Sequence, residues 1–143
     1  KNADGDLPLL HQASNENFET VKLLLDKGAN PNTENNNSTL PSPLMVAVNA
    51  EHTEIVKILL DKGANPNIKD SEGNTPLMQA VSNGNEEIAK LLIGKGADVN
   101  AKANDGESVL AIAKDYYGVD EDDSEETLDE TPIIKILKKS GAK

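Results

Sequence analysis

The chain has 143 residues, room for one domain with a real core and little more. It lacks cysteine, which excludes a disulfide framework and a thiolate metal site and fits an intracellular setting. Its formal charge of −11 repels a phosphate backbone and an anionic membrane surface, so neither nucleic acid nor membrane is the expected partner. The charge is uneven. Eight acidic residues and no basic one lie between Asp120 and Glu130, leaving a net of −3 for the remainder. Aromatic residues are confined to Phe18, Tyr116 and Tyr117, so Leu, Ile, Val and Ala must do the packing.

The first residues, Lys1-Asn2-Ala3-Asp4-Gly5, are polar and do not read as a signal peptide. No apolar run approaches the roughly 18 residues of a membrane span. A first helix is expected around Pro8 and a second over Glu19–Leu25, followed by a turn string, DKGANPN, at Asp26–Asn32. The segment Asn35–Pro43 is two residues longer than its later counterparts. It reads as a tolerated surface insertion, with an enlarged contact finger tipped by Leu40 as the functional alternative. Ser42-Pro43-Leu44-Met45-Val46-Ala47 opens another helix, Glu54–Leu60 gives its partner, and DKGANPN returns at Asp61–Asn67.

Thr75-Pro76-Leu77-Met78-Gln79-Ala80 repeats the opening pattern most clearly. Thr75 suits an N-cap, and Pro76 suits the first helical position, where its missing N–H costs nothing. Leu77, Ala80 and Val81 then share a face, and Ala47 and Ala80 are small enough for helices to approach closely. Asn83-Gly84-Asn85 ends that helix, and Glu86–Ile93 forms an antiparallel second one with Ile88, Leu91 and Leu92 inward. Lys95-Gly96-Ala97 stops it in turn. Asp98–Ser108, rich in Asn, Asp and Gly, is predicted to be an extended turn, because its strand periodicity is weak. Ser108–Ala113 restarts the pattern without proline, an acidic insert fills Tyr116–Glu130, and Pro132–Leu137 supplies the last helix.

The turn glycines Gly28, Gly63 and Gly96 are spaced by 35 and 33 residues. Pro8, Pro43 and Pro76 each precede their glycine by 20 residues, whereas Val109 precedes Gly141 by 32, so about 12 residues have been inserted there. The period near 33, the Thr-Pro-Leu run at Thr75, the Ile-Val-Lys run at Ile55 and the ending Gly-Ala-Asp-Val-Asn at Gly96–Asn100 resemble ankyrin repeats. The resemblance implies an all-α ankyrin-repeat solenoid of helix-turn-helix units with β-hairpin-like connecting fingers. It implies a single domain over 1–143 with repeats at about 4–34, 35–69, 70–102 and 103–143, the last split by an insert over 116–130. Gln12 and Thr20 stand where the other repeats carry Ala and Ile, and Lys138-Lys139-Ser140 closes the last helix. Both ends read as caps, so a complete short array is expected.

The resemblance further implies a protein-protein interaction scaffold, holding a partner protein on its concave face and finger tips. Carried over by position, the contact residues are Ser71, Glu72, Asn74, Ser82, Asn83 and Lys102 in the third repeat, and Asn49, Ala50 and Lys69 in the second. The first supplies Asp6, Ser14, Asn15 and Glu34. The fourth supplies Asn104, Asp105, Glu107, Asp115 and Tyr116. Asn37 and Leu40 are weaker candidates, since the long finger does not align cleanly. Tyr116 and Tyr117 are the anchor candidates by elimination, as the chain has no Trp and no Arg, and of the two Tyr116 is carried forward. With the acidic insert it should engage a partner of basic surface.

Catalysis is not expected. His11 and His52 occupy different repeat phases, and no nucleophile-base constellation or phosphate loop is present. No cofactor or metal is expected either, since Asp120–Glu125 lacks the glycine an EF-hand loop requires. The expected molecule is a cytoplasmic monomer, or a resident of the host-cell cytoplasm if delivered by a bacterium. The alternatives are a structural, self-assembling repeat protein and a targeting domain of a larger enzyme or effector.

Overall fold

The computed structural model describes the backbone of residues 3–32, 41–120 and 131–143, and the side chains of these from Leu9 onward. Glu34, Asn37, Leu40, the side chain of Asp6 and most of the acidic insert lie outside the described residues.

Eight helices are described: α1 (Ala3–Ser14), α2 (Phe18–Asp26), α3 (Pro43–Asn49), α4 (Thr53–Asp61), α5 (Pro76–Ser82), α6 (Glu86–Gly94), α7 (Val109–Tyr117) and α8 (Pro132–Lys139). Consecutive helices pair into four layers. The inner helices α1, α3, α5 and α7 pack in sequence on one another, as do the outer helices α2, α4, α6 and α8.

The helix starts follow from their caps. Ser42, Thr75 and Ser108 are extended, and each side-chain oxygen accepts the backbone N–H three residues on, at 3.1, 3.3 and 3.2 Å. At Thr75 the cap is reciprocal, because its own N–H donates to the Met78 sulfur at 3.5 Å. The first layer departs from this pattern. Leu7 stands at the cap position, no hydroxyl starts a helix at Pro8, and α1 already begins at Ala3.

The outer helices end alike in all four layers. Gly28, Gly63 and Gly96 have φ of +92°, Gly141 has +97°, and the following alanine donates its N–H to a carbonyl five residues back. This left-handed C-terminal motif is the physical content of the repeated Gly-Ala string.

The core lies between layers. Ala47, Ala80 and Ala113 are fully buried, so the inner helices approach closely. Gln12, at the same phase, is only half-buried, and so is Thr20 where Ile55, Ile88 and Ile133 are buried. Lys114 replaces Val48 and Val81 at the opposite end, and Lys138 replaces Leu25 and Leu60. Both ends of the described stack therefore turn polar side chains outward. Leu91, expected inward, packs against the core but is only half-buried.

The connecting segments are tight turns. Asp70 accepts the N–H groups of Glu72 and Asn74 at 2.9 and 2.8 Å, and Gly73 turns the chain at φ +83°. Asp105 does the same for Glu107 at 2.9 Å. Among the described residues the hairpin character is a single antiparallel bridge between Lys102 and Ser108.

Candidate functional site

Side chains of the repeated turn string lock each layer to the next. Asn32 donates to the Gly63 carbonyl at 2.9 Å and accepts the Asn65 N–H at 2.7 Å. Asn67 repeats this with Gly96 and Asp98, at 3.0 and 2.7 Å. Asn100 repeats it with Gly141 and Lys143, at 3.1 and 2.9 Å. Each of these amides fills a donor and an acceptor on the next layer, so the layers keep a common phase.

Ion pairs reinforce two of the three junctions. Lys62 meets Asp26 at 2.6 Å, and Lys95 meets Asp61 at 2.7 Å. The lysine hydrogen bond holds each carboxyl below the usual carboxylate value, against a smaller opposing effect of desolvation. At the third junction the two positions carry Gly94 and Ser140, so both partners are replaced together. The turns add further links. Asn104 donates its side chain to the Ser71 carbonyl at 3.0 Å and its backbone to Glu72 at 2.9 Å. His52 contacts the Ser14 carbonyl at 3.2 Å.

This lock divides the expected contact residues into two groups. Lys69, Glu72, Asn74, Lys102, Asp105 and Glu107 lie in the connecting turns that precede the inner helices. Asn15, Asn49, Asn83, Asp115 and Tyr116 lie where the inner helices end. A seven-residue helix spans about 10 Å, which separates the two edges. Ser14, Asn49, Ser82 and Asp115 share one phase and are exposed in all four layers.

Several members have structural duties. Asn74 is half-buried and donates to Asp70 and Glu72, both at 3.3 Å. Asn83 accepts from Gln79 at 3.1 Å, Asn15 contacts His11 at 3.0 Å, and Lys69 donates to the Lys102 carbonyl at 2.9 Å. Asn49, Glu72, Lys102, Asp105, Glu107 and Asp115 are exposed.

Tyr116, the first residue of the expected insert, lies in the last turn of α7. α7 runs through Tyr117, two residues beyond the length of α3 and α5. The other inner helices leave through a left-handed residue at one common phase: Glu16 at φ +56°, Glu51 at +58° and Gly84 at +68°. Tyr117 holds that phase in the fourth layer. A bulky aromatic disfavours the left-handed region, so the helix continues and the turn falls on Gly118, φ +62°. The two-residue extension carries Tyr116 onto the third layer, where a Cβ on Gly84 would collide with its ring and hydroxyl. Tyr117 is half-buried against Tyr116, edge to face, with centroids 5.0 Å apart at 86°. Burial raises its phenol pKa, Glu86 adds to the rise, and a hydrogen bond from the Ile133 N–H opposes it.

Among the described residues no group of three His, Asp or Glu side chains is placed to hold a metal ion, and no helix is long and apolar enough to cross a membrane. An open cleft of about 470 Å³ lies between successive turns, lined by Asn67, Lys69, Asn100 and Lys102 among others.

The stacked helix pairs, their left-handed glycine ends and the turns between them agree with the comparison to known families. A family model described as ankyrin repeats, three copies, matches residues 9–103. The chain belongs to the ankyrin-repeat family, whose repeats generally mediate protein-protein interaction. No curated protein matches it.

Proposed function

We propose that the whole chain is one four-layer domain that recognises a partner protein of basic surface along the two edges of its inner helices. The observation that carries this is the exposed row Ser14, Asn49, Ser82 and Asp115. The layers are locked in phase, and these side chains are not consumed by the locking. The fourth layer supports the charge assignment, since Asp105, Glu107 and Asp115 are all exposed there. A negative edge of this kind accelerates encounter with a cationic partner. The same reading makes the domain a non-catalytic, cytoplasmic monomer.

The partner would be captured from the native cell and its affinity measured against Glu107→Lys and Asp115→Lys. Weakening of about tenfold is expected, on the order of 1–2 kcal/mol, with a flatter salt dependence. Affinity unchanged at low salt would reject the assignment. The alternative of a self-assembling stack draws on Leu24, which is half-buried where Leu59, Leu92 and Leu137 are fully buried. Sedimentation at several concentrations separates the two readings, because only a self-assembling stack gains mass with concentration.

A further inference from the structure

Tyr116 combines two properties that rarely coincide in one side chain. It is half exposed, one of two large apolar side chains so exposed among the described residues. It is also held in place. Its hydroxyl end rests over Gly84, and the Tyr117 ring meets it edge to face. Tyr117 is in turn half-buried and packed against the core. A ring fixed this way loses little side-chain entropy when it is covered by a ligand.

Two carboxylates lie near it in the chain or in the fold. Asp115 is exposed one residue earlier on α7, and Glu86 is near enough to oppose ionisation of Tyr117. Glu86 also meets Lys90, but only at 3.8 Å. Lys114 lies two residues before Tyr116, about 200° around the helix, and therefore faces away from it. An aromatic face bordered by carboxylates attracts a cation. A planar guanidinium suits it better than an ammonium, because it stacks flat on the ring while its edge hydrogen-bonds a carboxylate.

We propose that Tyr116 is the anchor for an arginine side chain of the partner, with the guanidinium over the exposed ring and the carboxylates of Asp115 and Glu86 supplying the attraction. This rests on the reading of the domain as a receptor for a basic partner and assigns the residue type that it selects.

The test uses the full chain with labelled tyrosine rings and a (Gly-Arg)4 peptide, against the same peptide with citrulline for arginine. Citrulline keeps the shape and loses the charge. The arginine peptide should shift the Tyr116 ring resonances, and the citrulline peptide should not. Tyr116→Phe should bind within about twofold of the parent, and Tyr116→Leu roughly three- to tenfold more weakly. Thermal unfolding of Tyr116→Leu, with Gly84 uncovered, identifies any loss due to misfolding, and Asp115→Asn repeats the test without touching the ring. Equal shifts from both peptides, or full affinity in folded Tyr116→Leu and in Asp115→Asn, would overturn the proposal. If Glu107→Lys still weakens peptide binding in that case, the basic-partner reading survives without the arginine anchor. If the arginine peptide binds nowhere at low salt, both fall.

Discussion

Asn67 ties two layers together with one amide, donating to Gly96 and receiving from Asp98. Replacing it by alanine removes both bonds and leaves two backbone groups to water. Asn67→Ala should cost about 1–2 kcal/mol, read as a lower urea midpoint at unchanged slope. An unchanged midpoint would mean that water replaces the clasp without loss. Gly84 presents a different constraint. Alanine there must take φ +68° and also displace the Tyr116 ring. Gly96, at φ +92°, has nothing within 4 Å of an added Cβ. Gly96→Ala should therefore cost only the left-handed penalty of about 1–2 kcal/mol, and Gly84→Ala more. In a Tyr116→Ala background the excess should disappear, a coupling that a double-mutant cycle measures directly.

Helix ends show the element scale best. The pairs Asp26–Lys62 and Asp61–Lys95 join the C-terminal ends of successive outer helices. Both carboxyls have folded-state values below the ordinary 3.8 because a lysine hydrogen-bonds them. Their contribution is therefore fully present above the unfolded value and is lost as pH falls through the folded one. The double variant Asp26→Asn, Asp61→Asn should be less stable than the parent near neutral pH and match it near pH 2, with added salt narrowing the gap. A gap that persists in acid would show that the amides act through something other than charge. The starts of the inner helices were legible, since Thr75 with Pro76 and Ser42 with Pro43 are cap sequences that the structure uses as caps. The end of α7 was not legible. Its position depends on Tyr117 refusing a left-handed turn, a preference that only matters once the phase of Glu51 and Gly84 is known.

The stack buries equivalent side chains to different depths according to their layer. Leu59 is fully buried between neighbours, while Leu24 at the same phase of the first layer is half-buried. Leu59→Ala should cost about 2–5 kcal/mol and Leu24→Ala distinctly less, compared by equilibrium unfolding. Equal losses would mean that another surface covers Leu24 in solution.

The period, the turn glycines and the small alanines were sufficient to determine a stack of helix pairs, because they are local requirements repeated at constant spacing. A local pattern reports what each segment needs from its own backbone. The expected contact residues were implied by the family resemblance and carried over by position, and Asn49, Glu107 and Asp115 among them are exposed. Which polar residues are already spent was decided only in the tertiary structure. Asn32, Asn67 and Asn100 look like turn residues in the chain, yet their partners lie 29 to 43 residues away. Tyr116 looked like the start of an acidic loop, yet it is seated across a glycine of the preceding layer. Such partners are chosen by how layers meet, and that geometry exists only after the stack has formed.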